Sequence, residues 1–191
     1  HVQRQILFEI TGYVGNFFAQ DAVTFKVRWL HCVEHATVAF TICENCGKVS
    51  EITDEVRRIW DDMVDTMEAM PGYGLGAPQI GVMLRLAVVD CSKARGQVVR
   101  LADPEITMAS PERFDWEEAS PNLPGVSAKL SRPARVAVAY TDETGARVEK
   151  KFEDLWATSV QHQIDHLEGR MFFDRLSRVK RQMLLKKAAK R

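Results

Sequence analysis

Two histidines four residues apart, His162 and His166, stand in the stretch VQHQIDHLEG (160–169). Around them Leu155, Val160, Ile164 and Leu167 recur at helical steps, which predicts a helix over 155–167 with both imidazoles off the apolar stripe. Side chains at i and i+4 lie about 5–6 Å apart on one face, so the two rings can converge on a single ion. An HxxxH pair alone is served as well by two solvated histidines. Between them, where a hydrolytic HExxH site carries its glutamate, this chain has Gln163.

A second stretch adds weight to the site reading. GYGLGAPQIGV (72–82) packs Gly72, Gly74, Gly76 and Gly81 around Pro78-Gln79. Glycine density lets backbone approach a ligand closely, and the Gln79 amide can donate to an oxyanion. Without the lysine and Ser/Thr of a phosphate loop it does not read as a nucleotide site. Taken alone, it is also an ordinary Gly/Pro turn.

The elements around these motifs follow from periodicity. Thr53 precedes Asp54 and Glu55, and then Val56, Ile59, Trp60, Met63, Met67 and Met70 recur at three- and four-residue steps. That is an N-capped amphipathic helix stopped by Pro71-Gly72. LRLAVVD (84–90) is strand-like and SKARG turn-like; RVAVAYTDETGARVEKKFE (135–153) reads as a hairpin. A basic helix is expected at the C-terminus. The mixture predicts an α+β domain with a central helix among antiparallel strands.

The order helix, GYGLGAPQ, strand, EEASPNLPGV, hairpin, QHQIDHLEG resembles the peptide deformylase family over residues about 51–185. That family's signatures are GxGLAAPQ, EGCLS and HExDH. They fall here on Gly72–Gln79, Glu118–Asn122 and His162–His166, with Gly76 in place of an alanine. The resemblance implies Fe2+ or Zn2+ held by one cysteine and two histidines, with water in the fourth position. It implies a glutamate acting as base and acid, and an oxyanion hole of the glutamine amide and a backbone N–H beside the cysteine. The implied reaction is hydrolytic removal of the N-formyl group from nascent formyl-methionyl peptides.

Carried over residue by residue, the roles arrive unevenly. His162 and His166 remain as metal ligands and Gln79 as side-chain oxyanion donor. The cysteine falls on Ser120, whose neutral hydroxyl is a far poorer ligand. The leucine after it falls on Pro121, which has no N–H to donate. The base falls on Gln163, which cannot exchange a proton. An impaired or inactive deformylase is therefore expected. Glu117, Glu118 and Asp165 are candidates for a replacement ligand. A pocket walled by Gly72, Tyr73, Gly74, Leu75, Leu123, Pro124 and Gly125 could still hold a formylated or acylated peptide end. Asp165 could equally be a solvated carboxylate, Arg132-Pro133 reads as a strand entry, and Trp60 and Trp156 as core. Arg175, Arg178, Lys180, Arg181, Lys186, Lys187, Lys190 and Arg191 make the C-terminal end cationic. It looks similar to the ribosome-docking helix of bacterial family members.

Residues 1–50 do not show the family's usual first strand, and they are read as an atypical segment, a fusion or a chimeric join, ahead of a domain at 51–191. Cys43 and Cys46 form a CxxC, with Cys32 and His35 upstream as possible partners in a structural zinc site. Residues 35–51 show a weak resemblance to the ferric- and zinc-uptake regulators, but no DNA-reading helix accompanies them. A zinc-binding metalloregulator is thus the third reading, after a deformylase and a non-catalytic binder of capped peptide termini. Four cysteines in 191 residues do not form a disulfide framework, and no apolar run approaches the roughly 18–20 residues of a membrane span. With 26 basic and 26 acidic residues, the balance gives no overall case for nucleic acid. A cytoplasmic protein, and a record beginning at His1 as a fragment or processed chain, are expected.

Overall fold

A computed structural model describes residues 46–70 and 72–190. Helix α1 (Asp54–Ala69) is capped by Thr53, whose Oγ1 accepts the Val56 N–H at 3.3 Å. Strands β1 (Gly74–Gly76), β2 (Leu86–Val89), β3 (Val99–Ala109), β6 (Arg135–Thr141) and β7 (Arg147–Glu153) form an antiparallel sheet ordered β1-β2-β3-β6-β7. Strands β4 (Arg113–Ala119) and β5 (Ser127–Pro133) pair apart from it as an antiparallel ribbon. Helix α2 (Asp154–Leu167) follows the β6–β7 hairpin, and α3 (Arg178–Ala188) ends the fold. This is the α+β arrangement that the sequence leads one to expect.

Strand alternation explains the layering. Leu86 and Val88 of β2 face α1, where Val56, Trp60, Met63 and Met67 bury their stripe. Ala87 and Val89 face the opposite way, onto Val160, Ile164 and Leu167 of α2. Both faces of the sheet are therefore covered, and β2 reads as a continuous apolar run rather than an alternating one. Trp60 is fully buried in the α1 core, and Trp156 packs half-buried on the α2 side.

Helix α2 also lies against the β4–β5 ribbon, so its polar residues are enclosed as well as its apolar ones: every residue from Ala157 to Leu167 is buried. A third apolar cluster of Val126, Leu130, Phe172 and Leu184 fastens the ribbon to α3. At the N-terminal side Gly47 bridges to Leu84, and the Val49 N–H donates to Asp103 at 3.0 Å, so residues 47–49 dock on the sheet. Cys32, His35 and Cys43, three members of the possible zinc set, lie outside the described residues. The fourth, Cys46, packs against the α2-side core.

Candidate active site

His162 and His166 project from one face of α2, their Nε2 atoms 3.0 Å apart and their rings edge to face at 4.7 Å. Both are buried, so the reading of two solvated histidines fails because the ribbon covers that face. Glu118, on the inner face of β4, places Oε2 2.7 Å from His162 Nδ1. Burial alone would raise the Glu118 value, but hydrogen bonds from Arg132 and His162 hold it below the usual carboxylate range. The ionised carboxylate accepts the Nδ1–H, which turns His162 Nε2 toward His166. Burial, reinforced by His162, holds the His166 imidazole well below its ordinary value. It is thus neutral at pH 7.

Behind the imidazoles stands a buried ion cluster. Arg132, 1% exposed, donates through Nε and Nη2 to Glu118 at 2.5 and 2.8 Å, and through Nη1 to Asp165 at 2.8 Å. Asp165 also receives Arg175 at 2.6 Å and Arg170 at 3.2 Å. Two expectations are corrected here. Asp165 is a buried anchor rather than a solvated carboxylate, and Arg132 is the centre of the cluster rather than a plain strand entry. The cause is the ribbon, which carries Glu118 and Arg132 on its inner face opposite α2. Neither acid supplies a replacement ligand: Glu118 faces Nδ1, away from the converging nitrogens, and Asp165 is filled by arginines. Glu117 is exposed and accepts from Ser127 Oγ at 2.6 Å.

Ser120 and Pro121 lie in the turn after β4. The Leu123 N–H donates to Ser120 O at 2.9 Å, closing a four-residue turn with Pro121 at its second position, where a fixed φ is favourable. Ser120 Oγ comes within 3.5 Å of His166 Nε2, while Asn122 N–H donates to that oxygen at 3.3 Å. Asn122 Oδ1 in turn accepts from Gln79 Nε2 at 3.0 Å. Gln79 sits in a one-turn 3-10 helix (Ala77–Ile80) with its Oε1 accepting the Gly76 N–H at 2.8 Å. Sequence reasoning gave Asn122 no role. Its only signal was a polar residue after Pro121 in a motif already suspected.

The remaining candidate residues fall in three places. Gly72 and Tyr73 lead into β1: the Gly72 carbonyl is held by Arg95 at 2.8 Å, and the Tyr73 carbonyl by Ser159 Oγ at 3.0 Å. Gly74 approaches α2 so closely that a Cβ there would lie 2.8 Å from Gln163 Nε2. Leu75 does not wall the expected peptide pocket; the strand alternation points it into the α1 core, where it is fully buried. Leu123 is half-buried and Pro124 and Gly125 are exposed, with Gly125 at φ +75° ending the turn region before β5.

The donor set can be compared with the ion that the resemblance implies. Two imidazole nitrogens converge well for a divalent ion. The third donor is a neutral hydroxyl already engaged with Asn122, and among the described residues no group of three or more His, Cys, Asp or Glu converges as a metal set. Thiolate supplies charge and softness that this oxygen lacks, so the set does not fit the Cys/His/His pattern.

Comparison with known proteins identifies the family. Residues 29–182 match the family described as polypeptide deformylase. A peptide deformylase of Hydrogenovibrio crunogenus is 40% identical over 147 residues, 77% of this chain and 86% of its own length. A peptide deformylase-like protein of Bradyrhizobium diazoefficiens is 42% identical over 142 residues, 74% of this chain and 83% of its own. Among solved structures, the peptide deformylase of Legionella pneumophila superposes with a TM-score of 0.72 at 34% identity, covering 78% of this chain and 88% of that one. The Ehrlichia chaffeensis peptide deformylase in complex with actinonin gives 0.72 at 32% identity, covering 81% and 94%. By sequence and fold, the chain belongs to the polypeptide deformylase family.

Proposed function

We propose that this chain is a deformylase-family protein whose cleft still receives formylated or acylated peptide N-termini but whose hydrolysis of the N-formyl group is weak or lost. The observation that carries the reading is Ser120 Oγ at 3.5 Å from His166 Nε2, in the place of the family's cysteine, with Gln163 buried on the same helix. A hydroxyl in place of a thiolate weakens any hold on Fe2+ or Zn2+ by His162, His166 and Ser120. A neutral amide in place of a carboxylate removes general acid–base help worth roughly 10²–10⁴. Pro121 removes a main-chain oxyanion donor worth about 10²–10³. These losses act on different parts of the reaction, so together they exceed what one compensating change restores.

Recognition of the peptide end is supported by what remains. Gln79 is held in place by Gly76 and Asn122, and the glycine-rich stretch at Gly72–Gly74 is fixed by Arg95 and Ser159. The cationic helix α3 is a candidate contact for ribosomal RNA, through Arg178, Lys180, Lys186 and Lys187. Arg175 and Arg181 are turned toward Asp165 and Asp174 instead. The test is metal content of anaerobically purified protein by mass spectrometry, paired with formate release from formyl-Met-Ala-Ser. Substoichiometric metal and formate at background support the reading. Stoichiometric iron or zinc with steady formate release overturns it.

A further inference from the structure

Gln163 is 4% exposed, and its Oε1 meets no hydrogen-bond donor among the described residues. A buried acceptor left bare costs about 1–3 kcal/mol, a cost that a water, an ion or a ligand from outside the chain relieves. The surroundings of this oxygen indicate which. A Cβ built on Gly76 would lie 3.7 Å from Gln163 Oε1, 3.7 Å from Gln79 Oε1 and 3.5 Å from His166 Cβ. These are ordinary contact distances, so the absent side chain leaves a gap about one carbon wide between the two glutamine amides. Gln79 Nε2 gives one hydrogen to Asn122 and keeps the other uncommitted. The gap is thus bordered by an unused acceptor, Gln163 Oε1, and by the Gln79 carboxamide, whose oxygen is engaged by Gly76 and whose nitrogen keeps one hydrogen to donate.

We infer that Gln163 accepts the N–H of a ligand's N-terminal amide while Gln79 donates to its acyl oxygen, so that the ligand recognised is a secondary amide with a small acyl cap. The inference rests on the reading of the cleft as a site for formylated or acylated termini. It adds that the residue standing where a base is expected is the ligand's acceptor. A carboxamide stays neutral across the whole pH range and does not take up the proton it accepts a bond from. The contact it makes is binding without proton transfer.

The test is calorimetric titration of the protein with formyl-Met-Ala-Ser and with the isostere in which the formamide N–H is replaced by oxygen. Formate is assayed in the same samples, so that hydrolysis is not read as heat of binding. Wild type is expected to prefer the amide by roughly tenfold, the effect of one buried neutral hydrogen bond. Gln163→Leu is expected to bind both within about twofold. Equal affinity of wild type for the two ligands overturns the inference and leaves the underlying reading in place. A preference that survives in Gln163→Leu overturns the assignment to this residue. No binding of either ligand up to millimolar concentration overturns both. The comparison in wild type stands whether or not the variant folds.

Discussion

Replacing Arg132 by methionine removes the cation that, among the described residues, joins the ribbon to α2 behind the imidazoles. The arginine is 1% exposed and makes three charge-assisted hydrogen bonds, two to Glu118 and one to Asp165. Methionine keeps much of the stem's volume, so the loss is mainly electrostatic. Asp165 keeps Arg175 and Arg170, whereas among the described residues Glu118 keeps only His162, so the stranded charge is that of Glu118. Removing one partner of a buried pair costs roughly 3–5 kcal/mol. With Asp165 still compensated, the lower half of that range applies, about 3–4 kcal/mol, or a fall in Tm of about 6–16 °C for a chain of this size. The dependence on pH has a definite sign. Burial would raise Glu118 and Asp165, but the arginines hold both below the usual range. In wild type they contribute stability present above their unfolded values and lost only as pH falls through the lowered folded ones. In the variant Glu118 is left with burial, its value rises, and protonation at mildly acid pH relieves the cost. Urea denaturation at pH 7 and pH 5 should therefore show a gap between the proteins that narrows with acid, and Glu118→Gln in the variant background should recover part of the loss. A deficit below about 1 kcal/mol at pH 7, or one independent of pH, would show that Glu118 is not left as a stranded charge.

Two glycines in β1 should respond differently to alanine. A Cβ at Gly74 meets Gln163 Nε2 and Ser159 Oγ at 2.8 Å and Val88 O at 3.0 Å, so Gly74→Ala should cost about 1–3 kcal/mol by thermal denaturation. Gly76→Ala meets nothing closer than 3.5 Å and should leave Tm within about 2 °C while weakening formyl-peptide binding in the same titration. The Cys91 thiol is pushed up to about 11, chiefly by burial. At pH 8 about one molecule in a thousand carries thiolate, so Cys91 should resist iodoacetamide in the native protein and react once unfolded in urea, as mapped by peptide mass spectrometry.

The parts of the fold legible in the sequence are those with one clean period. Helix α1 has a methionine–tryptophan stripe and a threonine cap, and the β6–β7 hairpin turns at Gly145 with φ +87°. Strand β3 escaped because Asp103, at φ +47°, sits where the ladder to β6 shifts register, and this breaks the alternation that announces a strand. The ribbon escaped because its register is set by contact with α2 and α3 rather than by a local pattern. In the site, spacing and resemblance located the histidines, Gln79, Ser120 and Gln163. The cluster around Arg132 gave no such sign, since nothing local distinguishes an arginine destined for burial from one on a strand surface. The bond from Gln79 to Asn122 spans 43 residues and exists only once the turn after β4 is folded.

The proposed loss of chemistry rests on three positions of a scaffold that persists. The most direct measurement is formate release from formyl-Met-Ala-Ser, under anaerobic conditions with added Fe2+ or Zn2+, by wild type, by Ser120→Cys and by the triple variant Ser120→Cys, Pro121→Leu, Gln163→Glu. Expected are background release from wild type, tighter metal retention without useful turnover in Ser120→Cys, and a gain of at least about 10³-fold in the triple variant from the restored base and oxyanion donor. Turnover by wild type that equals the triple variant's would contradict that loss.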